Sequence, residues 1–171
     1  MTGSKTSGIP PVDPEAPQTP FQRVMRTVGK TKPGMALAKA VPVHVDAWLL
    51  EHTNGWIATS IGFPRLNMTT TGRKSGEPRT TTLLHFTRGD DVVVIASCFG
   101  SDKHPAWYLN VAADPHVELL CRGYRGRYVA READEPERSE LYALARKLYG
   151  AYTLYAARTD RRIPVMVLSP E

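Results

Sequence analysis

Apolar and polar residues alternate through much of the middle and the end of the chain, which is the pattern of strands with one buried face. Residues 79–88, RTTTLLHFTR, favour β-branched types, and the turn Gly89-Asp90-Asp91 leads directly into VVVIAS. Further strands are predicted at residues 66–71, in HVELLCR and YRGRYVARE, which flank Gly123, and in IPVMVLSP near the end. Because short turns join most of these strands, the pattern predicts an antiparallel sheet that closes, or nearly closes, into a barrel.

Three stretches have the spacing of helices. VHVDAWLLEHTNG places Val45, Trp48 and Leu49 on one predicted apolar side, and its final Asn-Gly ends the helix. HPAWYLNVAADP predicts a short helix, and DEPERSELYALARKLYGAY is the clearest helix because acidic residues open it and basic residues follow. The predicted fold class is therefore mainly β with flanking helices (α+β). A βαβ alternation and the glycine fingerprint of a Rossmann unit are both missing from the sequence.

The N-terminal part of the chain differs in composition from the rest. Residues 1–20 are rich in Pro, Gly, Ser and Thr and predict a flexible tail. Residues 21–40 are basic and weakly amphipathic with a break at Pro33-Gly34, which suits a helix on the domain or a surface segment that touches anionic lipid. The expected organisation is a tail at 1–20, a helical segment at 21–55 and a barrel domain at 56–171.

Size and composition set the class of protein. A chain of 171 residues with 42% hydrophobic and 23% charged residues fits one globular domain. Cys98 and Cys121 lie in apolar stretches without a CxxC pair, which argues against disulfides and structural zinc and favours a reducing compartment. Neither a signal peptide nor an apolar run of about 20 residues is visible. We therefore expect a cytoplasmic protein, with peripheral contact to the inner face of the membrane left open for residues 21–40.

The charge balance points to an anionic partner. The net charge is +5 and the pI about 9.4, which suits nucleic acid, an acidic membrane surface or a phosphorylated small molecule. The basic residues are spread along the chain and form no recognition motif, so a nucleic-acid binder is disfavoured. No Cys/His spacing indicates a metal, and no motif supports Ser-His-Asp chemistry.

The stretch TTTGRKSGEPRTTTLL, residues 69–84, places an unusual cationic bend between two predicted strands. Its glycines permit a tight turn, so Arg73, Lys74 and Arg79 can converge on one external anion. A solvated hairpin turn of ordinary composition is the alternative interpretation. The spacing does not match a Walker A loop, so a nucleoside triphosphate site is excluded here.

Tyr149, Tyr152 and Tyr155 recur at three-residue spacing, which on a helix places them near one face. A tyrosine hydroxyl can donate a hydrogen bond to an oxygen that gains negative charge, and its ring can cover an aromatic substrate. The alternative is an aromatic stripe packed in the core.

The motifs TTTGRKSGEPR, VVVIAS and HPAWYLNVAADP, in this order, together with the terminal TDRRIPVMVLSP, resemble the deazaflavin-dependent nitroreductase family of the flavin/deazaflavin oxidoreductase superfamily. The resemblance implies a split β-barrel, a monomer or homodimer, and coenzyme F-420 as hydride donor to quinones, activated alkenes or nitroaromatic compounds. By position it implies cofactor contacts from four segments of the chain: Arg73, Lys74 and Ser75; Arg79, Thr80, Thr81, Thr82, Leu83 and Leu84; Ile95, Ala96, Ser97 and Cys98; and Ala106, Trp107, Tyr108, Leu109 and Asn110. For the last segment, Trp107 and Leu109 also fit simple core positions.

The resemblance further implies Tyr152 as the first catalytic candidate, because it aligns with the family's active-site tyrosine. Ser97, in the segment implied to lie beside the ring, is the second candidate, and the spacing of Tyr149 and Tyr155 places them with Tyr152 beside the substrate. The chain has Cys98-Phe99-Gly100 where some relatives carry Lys-Gly-Gly, and Lys103 is a candidate replacement for the missing cation. Two other functions stay open at this point: an FMN-dependent oxidoreductase of the same fold, and a non-catalytic binder of cofactor or lipid.

Overall fold

Six antiparallel strands form a closed barrel in which each strand pairs with two neighbours. The computed structural model describes residues 8–17, 20, 43–56 and 63–171. The strands are β1 Arg65–Thr71, β2 Pro78–Arg88, β3 Asp91–Ile95, β4 His116–Cys121, β5 Tyr124–Glu132 and β6 Val165–Pro170, in the barrel order β1-β2-β3-β6-β5-β4. The α-helices with bounds among the described residues are α1 Val43–His52, α2 Ala106–Ala113, α3 Glu137–Leu148 and α4 Ala151–Ala156, and a short 3-10 helix spans Cys98–Gly100. The prediction of a mainly β antiparallel barrel with flanking helices is confirmed.

The pleat of the strands separates two apolar cores. His85 of β2 lies opposite Val94 of β3, which lies opposite Met166 of β6, and this row faces the barrel interior. The next row, Phe86 opposite Val93, faces outward. Helices α3 and α4 cover that outer row, so the tyrosines of the C-terminal region pack on the outside of the barrel rather than within it.

Helix α1 crosses the outer faces of β1 and β2 through polar contacts. The Asn67 side-chain amide donates to the carbonyl O of Ala47 at 2.8 Å, and the Thr82 hydroxyl donates to Asn67 at 2.7 Å. The predicted apolar face of this helix is wrong in part: Trp48 is 57% exposed and Val45 41%, whereas Leu50 is buried. The reason is that the helix packs over a partly polar sheet face, so its buried positions do not follow the most apolar stripe.

The turn at Asn54-Gly55, which follows the C-terminal end of α1, is bonded to the turn between β4 and β5. The N–H groups of Arg122 and Gly123 donate to the carbonyls of Gly55 and Asn54, at 3.0 and 2.6 Å. A Cβ on Gly55 would lie 2.4 Å from the Arg122 nitrogen, so only glycine permits this approach.

Part of the predicted N-terminal tail packs on the barrel. Ile9 joins the core inside the barrel with 8% exposure, and Val12 exchanges main-chain and side-chain hydrogen bonds with Thr87. For residues 8–17 the expectation of a flexible tail therefore does not hold, because two aliphatic side chains and one strand edge are enough to dock them. The basic segment at 21–40 lies outside the described residues, and the domain boundaries stay a prediction.

The C-terminal helical region is broken into two pieces. Helix α3 ends at Leu148, Tyr149 has extended backbone angles of φ −138° and ψ 96°, and α4 begins at Ala151. Tyr149 thus lies between the helices, and the expectation of one continuous helical face through all three tyrosines is wrong. Within the described ranges, each helix is too short or too polar to cross a bilayer.

Candidate functional site

The cationic bend is the tip of the β1–β2 hairpin. The Gly72 N–H donates to the Glu77 carbonyl O at 2.8 Å, and the Gly76 N–H returns to the Gly72 carbonyl O at 2.7 Å. Gly76 has φ +72°, and a Cβ on Gly72 would lie 2.8 Å from the Ser75 hydroxyl. A Cβ on Gly72 would also lie 2.9 Å from the Glu77 carbonyl O, so the tightness of the turn requires glycine there, whereas Gly76 is favoured by its positive φ alone.

The side chains of Arg73, Lys74 and Arg79 are exposed at this tip. No described carboxylate forms an ion pair with any of them, whereas Arg125 and Arg131 elsewhere on the barrel are both paired with glutamates. The Arg79 guanidinium donates to the Ser75 hydroxyl at 3.4 Å. The tip also carries the exposed Glu77, but its three cations outnumber this one acid and none of them forms an ion pair with a described carboxylate, which suits an anionic ligand.

Asn110 connects this tip to helix α2. Its side-chain oxygen accepts the Arg73 main-chain N–H at 3.2 Å, and its nitrogen donates to the Thr70 hydroxyl at 3.1 Å. Asn110 is buried, so both groups of its amide are used inside the protein. Two of the predicted cofactor segments are thus joined by one side chain.

The second predicted segment, residues 79–84, follows strand β2, where alternate side chains face opposite sides of the sheet. Leu83 packs against the core inside the barrel, while Thr82 faces outward and is buried against Asn67. The Thr80 hydroxyl shares a hydrogen bond with Thr69 at 2.8 Å. A cofactor contact of this segment stays a prediction. Because the side chains alternate, a ligand on one side of the sheet cannot touch all five residues Thr80, Thr81, Thr82, Leu83 and Leu84.

The third predicted segment begins at the buried end of β3, with Ile95 and Ala96, and continues to the half-buried Ser97 and Cys98. Cys98, Phe99 and Gly100 then have φ of 47°, 55° and 77°, so three successive residues are left-handed. A Cβ on Gly100 would lie 2.7 Å from the Tyr155 carbonyl O. The turn is therefore pressed against α4, which carries two of the three candidate tyrosines.

Arg161 holds both sides of this turn. Its guanidinium donates to the carbonyl oxygens of Ala96 and Ser97 at 3.3 Å each, and to that of Ser101 at 3.2 Å. It also contacts His104 Nδ1 at 3.1 Å. Sequence reasoning did not single out Arg161; its place in the terminal TDRRIPV motif was the only available signal.

The fourth predicted segment is α2, which divides into core and surface positions. Trp107 is 9% exposed and packs in the core inside the barrel, as the alternative interpretation of this segment expected. Tyr108 stacks on His104 with ring centroids 4.6 Å apart and donates its hydroxyl to Glu132 at 2.7 Å. Burial and this hydrogen bond raise the pKa of Tyr108. Leu109 is half-buried, and Ala106 is exposed.

Tyr149, Tyr152 and Tyr155 form one cluster although Tyr149 lies between helices. Their ring centroids are 5.5, 6.0 and 6.5 Å apart, and Phe63 adds an edge contact to Tyr149 at 5.3 Å. Phe99 of the left-handed turn contacts the Tyr155 ring at 5.8 Å. The cluster is therefore continuous with the third predicted cofactor segment.

Burial sets the protonation of the cluster. It raises the pKa of Tyr152, which is 5% exposed, and the neighbouring tyrosines raise it further. Burial also raises the pKa of Tyr155, followed by the effect of Tyr149. Both hydroxyls therefore stay protonated at neutral pH and can act as hydrogen-bond donors. The Tyr155 hydroxyl already shares a hydrogen bond with Tyr149, which also raises its pKa.

These contacts form a continuous path. It runs from the hairpin tip through Asn110 to α2, from His104 of the preceding loop through Arg161 to the left-handed turn, and from Phe99 to the tyrosines. The first, third and fourth predicted cofactor segments and the tyrosine cluster lie along it, together with Arg79 from the second segment.

A comparison with known families places this path in a functional context. Residues 43–170 match the family described as F420H(2)-dependent quinone reductase, where F420H(2) is the reduced form of coenzyme F-420. The chain belongs to the F420H(2)-dependent quinone reductase family. It is therefore an oxidoreductase that uses reduced F-420. The expectation from the resemblance is confirmed, and the family decides for F-420 over FMN and for an enzyme over a non-catalytic binder.

Individual relatives agree with this assignment. The F420H(2)-dependent quinone reductase Rv1261c of Mycobacterium tuberculosis (strain ATCC 25618 / H37Rv) is 36% identical over 122 residues, which cover 68% of this chain and 82% of that protein. A solved F420-H2 dependent reductase, FDR-A, is 36% identical with a TM-score of 0.58, and the match covers 62% of this chain and 94% of that one. A solved domain-swapped dimer is 33% identical with a TM-score of 0.59, over 71% of this chain and 97% of the other.

The donor groups of the path fit such a cofactor, whose tail carries a phosphodiester and several glutamates. The tip offers the exposed cations Arg73, Lys74 and Arg79, and none of them forms an ion pair with a described carboxylate. The main-chain N–H groups of Ser97, Cys98 and Phe99 donate to no described acceptor, so they are free to meet ring oxygens.

Proposed function

We propose that F420H(2) binds along the path from the hairpin tip to the turn at Cys98–Gly100, and that a quinone is reduced beside the tyrosine cluster. One observation supports this proposal above all. A chain of contacts connects cations that have no described ion-pair partner, at the hairpin tip, to buried and protonated tyrosines at the other end. Asn110 and Arg161 are the side chains that connect the intermediate elements.

The hairpin tip is the anchor for the acidic tail. Arg73 and Arg79 suit bidentate contact with phosphate or carboxylate oxygens, and Lys74 adds a mobile charge. Ser75 is positioned by the turn and contacts Arg79, so its hydroxyl completes the same polar surface. Because the Arg73 main chain is bonded to Asn110, the anchor is held against α2.

The end of β3 and the following turn position the ring. The reduced deazaflavin, when bound, supplies a hydride. Ala96 is buried in the core inside the barrel and Ile95 in the outer core, which fixes the end of β3, and the N–H groups from Ser97 onward give polar contact points. Ser97 is also the second candidate donor to the acceptor. Positioning of this kind lowers the barrier because the reacting groups are already oriented.

Tyr152 is the proposed donor to the quinone oxygen. That oxygen gains negative charge as hydride arrives, and a protonated hydroxyl in a buried site stabilises it. Tyr149 and Tyr155, whose rings meet that of Tyr152 at steep angles of 84° and 80°, provide aromatic surface around an aromatic acceptor. Activated alkenes and nitroaromatic compounds are further acceptors that fit the same chemistry.

A homodimer is the assembly that we propose. A relative of 33% identity was solved as a domain-swapped dimer, which supports self-association in this family. The sequence expectation allowed a monomer or a homodimer, and light scattering of the purified chain decides between them.

Steady-state kinetics test the proposed function. With F420H(2) and menadione we expect turnover, with slower reduction of cyclohexenone and a nitroaromatic compound. Tyr152→Phe should lower kcat about 10–100-fold with little change in the KM for F420H(2), because the lost hydrogen bond forms mainly in the transition state. Tyr128→Phe is the control, since Tyr128 is buried inside the barrel and outside the cluster. Wild-type rates for Tyr152→Phe with all three acceptors would remove this role.

A further inference from the structure

The left-handed turn that follows Ser97 is an unfavourable backbone conformation. Cys98 has φ 47° and Phe99 has φ 55°, and residues with a Cβ rarely adopt such backbone angles. Gly100, with φ 77°, adopts its own angle without strain. The two non-glycine residues therefore need contacts that keep the turn in this form, and such conformations are found preferentially at functional sites.

Two main-chain hydrogen bonds supply part of these contacts, since the Gly100 N–H donates to the Ser97 carbonyl O and the Ser101 N–H to the Cys98 carbonyl O, both at 3.0 Å. Arg161 adds three more. It bonds two carbonyls before the turn, those of Ala96 and Ser97, and one carbonyl after it, that of Ser101. A guanidinium group is planar and presents its donors in a fixed fork, so one side chain sets the direction of all three carbonyls. A shift of the turn would break these bonds together.

The same guanidinium fixes the turn relative to α2. Its Nη1 contacts His104 Nδ1 at 3.1 Å, and the His104 ring stacks on Tyr108. Desolvation by burial and the charge of Arg161 lower the pKa of His104, which keeps the ring nitrogen neutral and able to accept this bond at neutral pH. Arg161 therefore connects two of the segments that the proposed function places around the cofactor.

The turn that Arg161 holds has the backbone geometry of an anion-binding concavity. Ser97 is right-handed, with φ −73° and ψ −35°, and the following residue is left-handed. Successive residues of this kind direct their N–H groups into one concavity that binds an anionic or polarised oxygen. The N–H groups concerned are those of Ser97, Cys98 and Phe99, which donate to no described acceptor.

We propose that Arg161 is a positioning residue of the reductase, which keeps the Cys98–Gly100 turn left-handed so that these N–H groups are aligned before the cofactor binds. The inference rests on the proposed function, because the aligned groups are the ring contacts of that site. Arg161 acts through the main chain of the turn.

The test compares Arg161→Gln and Arg161→Lys with Arg162→Gln. Arg162 is adjacent in sequence, its side chain is 52% exposed, and it lies 3.9 Å from Glu135, so it is a charge-matched control. Three quantities are measured for each protein: kcat/KM for F420H(2) with menadione, the F-420 dissociation constant by fluorescence, and amide hydrogen exchange at residues 97–99 without cofactor.

For Arg161→Gln we expect a fall in kcat/KM of at least about tenfold, a higher F-420 dissociation constant and faster amide exchange at the turn. Arg162→Gln should stay within about twofold of wild type. Arg161→Lys should recover only part of the loss, because an ammonium lacks the planar fork. Added guanidinium ion at non-denaturing concentration should partly restore Arg161→Gln.

Equal kcat/KM, affinity and exchange in the Arg161 variants and wild type would overturn the inference, as would equal losses in Arg162→Gln. If Arg161→Gln does not fold, the lysine variant decides on the same three readouts. If the wild type shows no turnover, the proposed function fails. The role of Arg161 is then judged by the F-420 dissociation constants and the amide exchange rates. Equal dissociation constants and equal exchange rates in Arg161→Lys and Arg162→Gln would refute that role.

Discussion

His85 gives the fold a sensitivity to acid that can be calculated from its surroundings. It is 1% exposed inside the barrel, opposite Val94, and neither of its ring nitrogens has a described partner at ordinary hydrogen-bond geometry. Burial, and to a smaller extent the charge of Arg122, lowers the pKa of His85 to about 3. The nearby Pro64 backbone raises the pKa of the ring, but this is the smallest of the effects on it. The ring is therefore neutral in the folded protein at any pH at which the fold is normally studied.

The sign and size of the effect follow from proton linkage. In the unfolded chain His85 has the ordinary value of 6.5, so between pH 6.5 and 3 the unfolded state binds a proton that the folded state excludes. The free energy of unfolding therefore falls as pH drops through this window, by about 1.4 kcal/mol per unit well below 6.5. Moving from pH 7.5 to pH 5 should cost about 2 kcal/mol through this one group.

The perturbation is His85→Leu, and the measurement is urea unfolding at pH 7.5, 6 and 5. At pH 7.5 the variant should be about as stable as wild type or more so, because it removes a buried ring with unpaired nitrogens. Between pH 7.5 and 5 the difference in its favour should grow by about 2 kcal/mol. His52→Gln, on the exposed side of α1, is the control and should follow wild type. Parallel pH dependence of His85→Leu and wild type would refute this reasoning.

Two further substitutions probe the coupling within the site. Gly100→Ala should destabilise by at least about 2 kcal/mol and reduce turnover, because the new methyl would lie 2.7 Å from the Tyr155 carbonyl O. Gly76→Ala, also at positive φ but in open space, should cost only about 1 kcal/mol, and equal melting temperatures would contradict the crowding argument. Asn110→Ala should cost about 1–3 kcal/mol and weaken F-420 binding several-fold, since it frees the hairpin tip from α2. An unchanged F-420 titration for that variant would show that this tether does not matter for binding.

Much of the barrel could be predicted because its strands alternate. The rows of β2, β3 and β6 follow the period of two, and glycines at positions 72, 76, 89 and 123 mark the turns, so the strands and their antiparallel direction were readable from the sequence. The barrel order, in which β3 pairs with β6 and β1 with β4, was not predicted. The tight hairpin tip with its free cations was predictable for the same reason. Its role in binding F-420 remains a prediction, supported by the family.

Features that depend on contacts distant in sequence were not predictable. Arg161 finds the carbonyls of Ala96 and Ser97 across more than 60 residues, and nothing in its local sequence shows that. The tyrosine cluster was expected, but for the wrong reason, since Tyr149 is brought in by a helix break. Ile9 was assigned to a flexible tail because local composition cannot show that the barrel offers it a place.

The central claim is that the hairpin tip anchors a polyanionic cofactor, and the F-420 dissociation constant of a double variant tests it most directly. Arg73→Ala with Arg79→Ala should raise this constant by about tenfold or more at low salt, since charge-assisted hydrogen bonds to the tail are lost. Arg127→Ala with Arg146→Ala removes the same net charge from exposed positions away from the tip and should leave the constant nearly unchanged. Equal dissociation constants for the two double variants, with both proteins folded, would contradict the account.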